Sequence, residues 1–363
     1  MGSLTSHHRL VLLMHQGLRG ESGKTGLGLL RYRSAQVVAV VDADCAGEDL
    51  AGITGIPCTA PIVDSVAAAL VYAPQVLVIG IAPSGGILPP AWRQEIHLGL
   101  AAGLSLVNGL HTPLQRDPEL SQALQPGCWI WDIRQEPPGL SVGTGAAAHL
   151  PGKRVLTVGT DMAVGKMSTS LALHYLGLQQ GLRSAFVATG QTGIMIAGSG
   201  IPLDAVRLDY ASGAVEQAVL QASEGAEIVH IEGQGSLFHP ASTATLPLLR
   251  GGQPTHLILV HRYGQSRIRT TQPGREGALI PPLPTAIKLY EALAAASSSF
   301  TAPKVVGIAL NTKHLSPDQA QQAIQATQDH LGIPCTDPIR LGAEPLLQAI
   351  LGDGSLGYRD NRE

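Results

Sequence analysis

The chain has 363 residues, of which 44% are hydrophobic and 14% charged, and its formal net charge is −3. This composition excludes a disordered chain, and at roughly 150 residues per domain the length predicts two domains. Because no basic stripe accompanies the slightly negative charge, we expect no nucleic-acid partner.

The amino-terminal half alternates apolar strands with helical segments. Strands are predicted over 9–14, 36–41, 75–81, 104–107 and 128–133, and helices over 64–72 and 90–102. Residues 15–28 are rich in glycine and predict a loop. This alternation indicates a parallel, doubly wound α/β sheet.

The carboxyl-terminal half repeats the alternation after a stretch rich in Pro, Gly and Ala. Its strands are predicted over 154–158, 184–188, 227–231, 256–260 and 304–310, and its helices near 168–180, 213–223, 285–296 and 317–331. Residues 262–284 predict a long surface loop, and such loops are often functional. We therefore predict domains over 1–135 and 153–363, joined by a linker over 136–152.

The four cysteines and the apolar runs bear on the compartment. The cysteines form no C-x-x-C pair, so we expect no zinc site and a reducing environment. No apolar run approaches the ~20 residues of a membrane span. We expect a cytoplasmic protein with a small-molecule substrate and no membrane partner, and self-association into a homo-oligomer is left open.

Residues 154–173 predict a phosphate-binding loop, because an apolar strand runs into GTDMAVGK and then into a helical pattern. Glycines let backbone N–H groups turn toward an anion, while the helix N-terminus and the lysine supply positive charge. The expected ligand contacts are Gly159, Thr160, Asp161, Gly165, Lys166, Ser168 and Thr169. Thr160 stands where the consensus has glycine, and Met167 stands where it has the hydroxyl that binds Mg²⁺. The alternative is a glycine-rich turn without a ligand.

Polar residues follow the other strands of this half, at the edge of the sheet where ligands bind in open α/β folds. Glu232 follows the strand at 227–231, and either it or His239 on the same loop is a candidate general base. Asn311 follows the last long strand and is a candidate adenine contact. Thr189, Gln191 and Thr192 form a small polar loop that we expect to be flexible and to meet phosphate or substrate; ordinary turn roles are the alternative.

The amino-terminal half carries a weaker anion signal. Gly17 to Lys24 has the same glycine-to-lysine spacing as Gly159 to Lys166, and it also follows a strand. Lys24 and Thr25 are therefore candidate substrate contacts, although glycine loops without ligands are common. Asp42 ends the second strand, where dinucleotide folds hold the ribose, but no correctly placed G-x-G-x-x-G accompanies it.

Two family resemblances follow from these motifs. GTDMAVGK at 159–166 resembles the loop GTD-x-x-VGKT of dethiobiotin synthetases, Glu232 resembles their magnesium-binding glutamate and Asn311 their adenine contact. This likeness covers the second half only and implies ATP-dependent ligases and related NTPases. Met167 departs from that pattern, and the loop after the second strand lacks the substrate lysine, which argues against biotin chemistry.

A closer resemblance covers nearly the whole chain. It is to a two-domain family with a Rossmann-like amino-terminal domain and a P-loop NTPase-like carboxyl-terminal domain. The motifs that carry it are KTGLGLLRY at 24–32, VIGIAP at 78–83, GLH at 109–111, VATGQTG at 187–193 and EGQGS at 232–236. The fold this implies is α/β with two doubly wound, mostly parallel sheets. Some members are D-glutamate N-acetyltransferases that use acetyl-CoA.

Three functions remain open at this point. The favoured one is transfer of an acetyl group from acetyl-CoA to the amine of a small acidic amino acid, which needs no Mg²⁺ and suits Met167. The second is a Mg-ATP-dependent kinase or ligase acting on a small carboxylate, with Glu232 on the metal and Ser168 or Asp161 in place of the missing hydroxyl. The third is a non-catalytic nucleotide sensor.

Overall fold

A computed structural model of the chain describes residues 2–83, 86–270, 274–297 and 302–352. Parts of the predicted 262–284 loop (residues 271–273) and of the predicted second domain (residues 298–301 and 353–363) lie outside the described residues. The chain divides into two compact units. The first is Met1–Glu136 together with Gly190–Ala205, and the second is Pro137–Thr189 together with Val206–Glu363.

The first unit is built on a parallel six-stranded sheet. Its strands are β1 (Leu10–Leu13), β2 (Val37–Val41), β3 (Ile62–Val63), β4 (Val76–Ile79), β5 (Ser105–Asn108) and β6 (Ile130–Asp132). Their spatial order is β3-β2-β1-β4-β5-β6, and every pairing is parallel. This is the order of the Rossmann fold, whose ligands bind where the order reverses, beyond the carboxyl ends of the first and fourth strands.

Five helices connect these strands. They are α1 (Lys24–Tyr32), α2 (Leu50–Thr54), α3 (Val66–Ala69), α4 (Arg93–Ala101) and α5 (Pro118–Ala123). Two glycines are closely packed at the entry into α1: the Gly26 N–H donates to the Gly80 carbonyl at 2.7 Å, and a Cβ on Gly80 would lie 2.6 Å from Met14 Cγ and 3.3 Å from the Gly26 Cα. The helix therefore begins directly against the end of β4.

The second unit also has a parallel six-stranded sheet, but its strand order differs. Its strands are β7 (Lys153–Gly159), β8 (Ser184–Val187), β9 (Ile228–Ile231), β10 (His256–Arg262), β11 (Lys304–Asn311) and β12 (Cys335–Thr336), in the order β12-β11-β10-β7-β9-β8. The difference is that β7 lies beside β9 and not beside β8. The helices that follow in the chain are α6 (Lys166–Gln179), α7 (Gln191–Ala197), α8 (Leu208–Ala222), α9 (Thr245–Gly252), α10 (Leu283–Ser297), α11 (Pro317–Leu331) and α12 (Glu344–Leu351). Of these, α7 belongs to the first unit.

Each sheet is covered by apolar side chains, so its central strands are buried along their whole length, as parallel strands require. Ile79, Ile96 and Leu106 lie in the core of the first unit, and Leu173 and Leu346 in that of the second. Burying such a side chain contributes roughly 1.5–3 kcal/mol. The core is aliphatic because only 4% of the chain is aromatic.

The predicted fold class, α/β with two doubly wound parallel sheets, is confirmed. Two local predictions were wrong. The predicted loop at 15–28 ends early because α1 begins at Lys24, and the segment predicted as a flexible loop at 189–193 forms the start of α7. The short strands β3 and β12 and the helices α2, α5, α9 and α12 were not predicted.

Two further properties concern the cysteines and the helices. All four cysteines are free thiols. Within the described ranges, no helix is both long enough and apolar enough to cross a bilayer.

Candidate phosphate-binding site

The predicted phosphate loop lies between the end of β7 at Gly159 and the start of α6 at Lys166. Gly165 precedes the helix with φ of +123°, a backbone conformation that side chains rarely adopt. The N–H groups of a helix's first turn lack intrahelical acceptors, and the helix dipole adds partial positive charge there. The turn therefore has the backbone features of an anion site.

Lys166 lies across the loop. Its side chain is buried, with 6% of the residue exposed, and its Nζ donates to the carbonyl oxygen of Asp161 at 2.9 Å. A Cβ on Gly159 would lie 3.0 Å from Lys166 Cδ and 3.1 Å from Nζ, so Gly159 makes room for the lysine. Burial lowers the pKa of Lys166 to about 8, against the opposing charges of Asp161 and Glu232.

The side chains of Asp161 and Thr160 form hydrogen bonds with other residues of the protein. Asp161 is fully buried; one carboxylate oxygen accepts from the N–H of Met162 at 2.7 Å, and the other accepts from Gln265 Nε2 at 2.6 Å and the Arg269 N–H at 2.9 Å. These bonds fasten the phosphate loop to the segment after β10. Gln265 and Arg269 lie in the predicted 262–284 loop, but this role was not predicted for either residue.

Thr160 is held by a buried histidine. Its hydroxyl lies 2.8 Å from Nδ1 of His261, and burial lowers the pKa of His261 to about 4. His261 is therefore neutral at pH 7, and its contact with Thr160 is between uncharged groups.

Glu232 follows β9 directly, as the strand-end prediction expected. Its Oε2 accepts from the Thr189 N–H at 2.8 Å, and the Thr189 hydroxyl donates to the Glu232 carbonyl at 2.9 Å. A Cβ on the next residue, Gly233, would lie 3.0 Å from Lys166 Cδ and would collide with the carbonyl oxygen of Thr157. The structure thus brings Glu232, Thr189 and Lys166 together.

Two hydroxyls hold the end of β7. The Gly159 carbonyl accepts from Ser236 Oγ at 2.9 Å and from Tyr290 Oη at 2.7 Å. Burial raises the pKa of Tyr290, so this phenol stays protonated as a donor. Tyr290 was missed because it lies inside the apolar pattern of α10, whereas Ser236 stands in the EGQGS motif.

Asn311 and His239, the predicted adenine contact and candidate base, form hydrogen bonds within the protein. The Asn311 amide, at the end of β11, donates to the Val164 carbonyl at 2.9 Å and so supports the phosphate loop. The His239 side chain accepts from the Ala241 backbone N–H at 3.1 Å through Nδ1. The backbone N–H of His239 donates to the Ser236 carbonyl at 3.3 Å, as in a local turn. The adenine contact of Asn311 and the base role of His239 stay predictions.

Ser168 and Thr169 lie in the first turn of α6; Ser168 is half-buried and Thr169 is buried. A cavity of about 10 Å³ lies beside this turn, lined by Gly159, Lys166, Gly233, Gln234, Gly235 and Tyr290. It has room for about one water molecule and is far below the 300–1,000 Å³ typical of pockets for drug-sized ligands. Among the described residues, no three His, Cys, Asp or Glu side chains are grouped as a metal site.

The remaining candidates lie in the first unit. The hydroxyls of Thr25 on α1 and Thr192 on α7 are 3.1 Å apart and buried, although the two residues are 167 positions apart in the sequence. Gln191 lies against Gly109, where a Cβ would be 3.2 Å from Gln191 Cγ. Lys24 is exposed at the N-terminus of α1.

Asp42 has a role other than ribose binding. Its two buried carboxylate oxygens accept from the backbone N–H groups of Gln16 at 3.1 Å and Leu18 at 3.2 Å. Both oxygens therefore fix the loop after β1.

A phosphate loop on one parallel sheet, preceded in the chain by a second sheet in Rossmann order, defines a two-unit α/β P-loop protein. Residues 141–347 match the P-loop domain of the DUF1611 family, a domain of unknown function, and residues 43–136 match that family's Rossmann-like domain. The chain belongs to this family, and the resemblance carried by its motifs is confirmed.

Three relatives cover most of the chain. A D-glutamate N-acetyltransferase of a Pseudoalteromonas species is 38% identical over 75% of this chain and 80% of its own, and one of Tritonibacter scottomollicae is 34% identical over 91% and 94%. The crystal structure of a DUF1611 family protein from Anabaena variabilis has a TM-score of 0.91 and 56% identity, covering 95% of this chain and 99% of its own.

Proposed function

We propose that the protein is an N-acetyltransferase that moves the acetyl group of acetyl-CoA to the amine of a small acidic amino acid such as D-glutamate. The observation that carries the proposal is the Glu232 carboxylate, held by Thr189 beside the phosphate-loop lysine Lys166. The names of two relatives that cover most of the chain support the choice of reaction.

The phosphate loop suits the phosphates of CoA. Lys166 and the first-turn N–H groups of α6 would hold one phosphate. Such binding needs no metal ion, so Met167 at the position of a magnesium-binding hydroxyl is no obstacle. Acetyl-CoA supplies an activated acyl group as a thioester.

The chain's own groups have two tasks in the reaction. The acceptor ammonium must lose a proton, which Glu232 would take. The free amine then attacks the thioester carbonyl carbon, a C–N bond forms, and the C–S bond breaks. As the C–S bond breaks, the nitrogen gives up its second proton and the leaving sulfur takes up one proton as the CoA thiol, while the proton held by Glu232 passes to solvent. Lys166 or backbone N–H groups would stabilise the negative charge on the carbonyl oxygen in between.

Between the two candidate bases, we favour Glu232. It is 6% exposed, and Thr189 bonds both its carboxylate, through the backbone N–H, and its backbone carbonyl, through the hydroxyl, so its orientation is set before the substrate binds. His239 uses Nδ1 as an acceptor within its own turn and has only Nε2 left for a substrate proton. Replacing each of the two candidate bases in turn is a direct test.

A Mg-ATP-dependent kinase or ligase is the second candidate, favoured by the same Glu232, because an acidic strand end beside a phosphate-loop lysine can hold Mg²⁺. Asp161 does not fit the metal role, since both its oxygens are occupied by donors from the protein. Glu232 and the half-buried Ser168 would be the remaining metal ligands.

The test combines calorimetry with an assay for release of the CoA thiol in the presence of D-glutamate. We expect acetyl-CoA to bind without Mg²⁺, and Lys166→Met to weaken this binding roughly 10- to 100-fold, the worth of one charge-assisted hydrogen bond. Lys313→Met removes an exposed lysine of the same unit and serves as the control. Binding of ATP that is lost on chelation, with no binding of acetyl-CoA, would overturn the proposal in favour of the second candidate.

Two further variants identify the base. Glu232→Gln keeps an oxygen for the Thr189 N–H and is expected to lower kcat roughly 10²- to 10⁴-fold, with acetyl-CoA affinity little changed. His239→Gln is expected to keep near-normal kcat. The reverse pattern would transfer the base role to His239.

A further inference from the structure

A cavity of about 280 Å³ lies in the first unit, at one side of its sheet. Its walls include Gln115, Leu124, Trp129, Ile130, Trp131 and Gln135. The volume is just below the 300–1,000 Å³ typical of pockets for drug-sized ligands, so it suits a molecule of one or two rings. All of the lining residues belong to the first unit, whereas the small cavity at the phosphate loop is lined by residues of the second.

The cavity follows the free edge of β6. This strand is last in the sheet, and β5 is its one neighbour among the described strands. Ile130 lies in the core of the unit and Leu124 packs against that core, so Trp129 and Trp131 project from the opposite face of β6. Because Leu124 and Trp131 both line the cavity, the cavity lies along the edge between the two faces.

The backbone of this edge offers a hydrogen-bond acceptor beside a donor. The Ile133 N–H donates to the Asn108 carbonyl of β5 at 2.9 Å. Since alternate residues of a strand bond to a parallel neighbour, the N–H and C=O groups of Ile130 and Asp132 face away from β5. Both residues line the cavity, so the Ile130 carbonyl and the Asp132 N–H form the pair of groups by which a parallel strand would bond to its next neighbour.

The lining offers no free charge to a ligand. Among the described lining residues Asp132 is the one with an ionisable carboxylate, and none is basic. One oxygen of this buried carboxylate accepts from the Asn108 amide at 2.8 Å, and the other accepts from the Gln115 N–H at 2.8 Å. An ionic ligand would lose its hydration without gaining an opposite charge, so the cavity selects an uncharged one.

Trp131 presents an aromatic ring to this cavity. The ring of Trp129 is already covered, because Gly2 lies against it and the His8 ring meets it edge-on at a centroid distance of 5.9 Å. Trp131 is partly exposed and lines the cavity. Indole rings stack on other flat aromatic rings, and such stacking tolerates any ring with a π-face.

We propose that this cavity binds an uncharged, flat heteroaromatic ring that stacks on Trp131 and bonds through its edge to the Ile130 carbonyl and the Asp132 N–H. An aminopurine base has this chemistry, since an amino donor lies next to a ring-nitrogen acceptor on its edge. The site goes beyond the proposed function and does not rest on it.

Calorimetry on the full chain tests the site with 9-methyladenine, a neutral base without sugar or phosphate. We expect it to bind the wild-type protein, Trp131→Leu to weaken binding roughly 5- to 100-fold, as for loss of one stacked base, and Trp131→Phe to lie between the two. Tyr72→Leu removes a partly exposed ring elsewhere in the first unit and should change the affinity less than twofold. No binding to the wild type, or equal affinities in Trp131→Leu and Tyr72→Leu, would overturn the site.

A change in the ligand tests the contact with the strand edge. The N6,N6-dimethyl derivative of 9-methyladenine keeps the ring and loses the amino donor, so it should bind the wild-type protein at least threefold more weakly. Equal affinities of the two compounds would overturn the bond to the Ile130 carbonyl.

A measurement on the wild-type protein guards against misfolding of a variant. Cys128 lines the cavity and is partly exposed, whereas the other three cysteines are buried. Saturating 9-methyladenine should slow the reaction of Cys128 with a thiol reagent at least threefold, as followed by mass spectrometry of the labelled peptide. An unchanged rate at saturation would place the ligand elsewhere and overturn the site.

A strand of a second copy of the chain is the other occupant that a free strand edge attracts. The three residues of β6 provide few ladder hydrogen bonds compared with a typical strand of about five or six, which favours the small ring. We expect wild type and Trp131→Leu to show the same oligomeric state by sedimentation. A wild-type dimer that Trp131→Leu converts to a monomer would make this edge a subunit interface and overturn the ring-binding site.

Discussion

Replacing Lys166 with methionine keeps most of the volume of this buried side chain and removes its ammonium. The folded protein holds this group at a pKa of about 8, compared with 10.5 for an unperturbed lysine, because burial outweighs the attraction of Asp161 and Glu232. That difference corresponds to about 3 kcal/mol of lost stability while the lysine is charged. We therefore expect Lys166→Met to be more stable than the wild-type protein at pH 7 by up to about that amount.

The pH dependence follows from the same lowered pKa. Between about pH 8 and pH 10.5 the folded protein has released the Lys166 proton and the unfolded chain still holds it, so wild-type stability rises with pH in this window. Below pH 8 both states are protonated and the full penalty remains. The advantage of the variant should therefore be largest at pH 7 and should nearly vanish by about pH 10.5.

Urea unfolding of both proteins at pH 7 and pH 10 measures the effect. The data are fitted with two transitions, because a chain of two compact units need not unfold in one step. Circular dichroism follows both units, while fluorescence of Trp92, Trp129 and Trp131 follows the first. Lys313→Met, an exposed control, should change stability by less than about 0.5 kcal/mol. A variant less stable than the wild type at pH 7, or an advantage as large at pH 10 as at pH 7, would refute the reasoning.

Three other substitutions test how the sites are held, each by urea unfolding. Gly233→Ala forces a Cβ onto the Thr157 carbonyl and should destabilise the protein by about 2 kcal/mol or more; wild-type stability would contradict the close contact. Tyr290→Phe removes the donor to the Gly159 carbonyl and should lose about 1–2 kcal/mol, and a neutral result would show that this bond contributes nothing. Asp42→Asn places an amide N–H against a backbone N–H and should lower the free energy of unfolding by about 1–3 kcal/mol. Unchanged stability would show that the loop after β1 accepts the amide.

The long strands could be predicted because parallel strands covered on both faces are continuous apolar runs. The same rule fails for β3 and β12, which have two residues each. Helix α1 was predicted as a loop because the segment is rich in glycine. One of these glycines, Gly26, is explained by its close contact with Gly80, which the sequence does not reveal. Helix α7 was missed for another reason. Six of its seven residues are buried, so the segment lacks the apolar and polar faces by which a surface helix is recognised.

The candidate site could be predicted where its residues follow strands. Lys166, Glu232 and Thr189 were singled out by position along the chain, and the structure brings them together. Tyr290 could not be found in this way, because its hydroxyl reaches Gly159 from the middle of a helix 131 residues further along the chain. A tyrosine in an apolar helical pattern is indistinguishable from a core residue until its partner is known.

The motif VATGQTG at 187–193 carries two threonines whose hydroxyls have separate structural roles. The chain passes from the second unit to the first between Thr189 and Gly190. Thr189 gives its N–H and hydroxyl to Glu232, whereas Thr192 pairs with Thr25 on α1. Neither hydroxyl can be replaced by an apolar group without leaving a buried partner unsatisfied, which carries a penalty of about 1–3 kcal/mol. Thr189→Val should therefore act on Glu232 and on the rate of the proposed acetyl transfer, and Thr192→Val on the first unit's stability, although only three positions separate them.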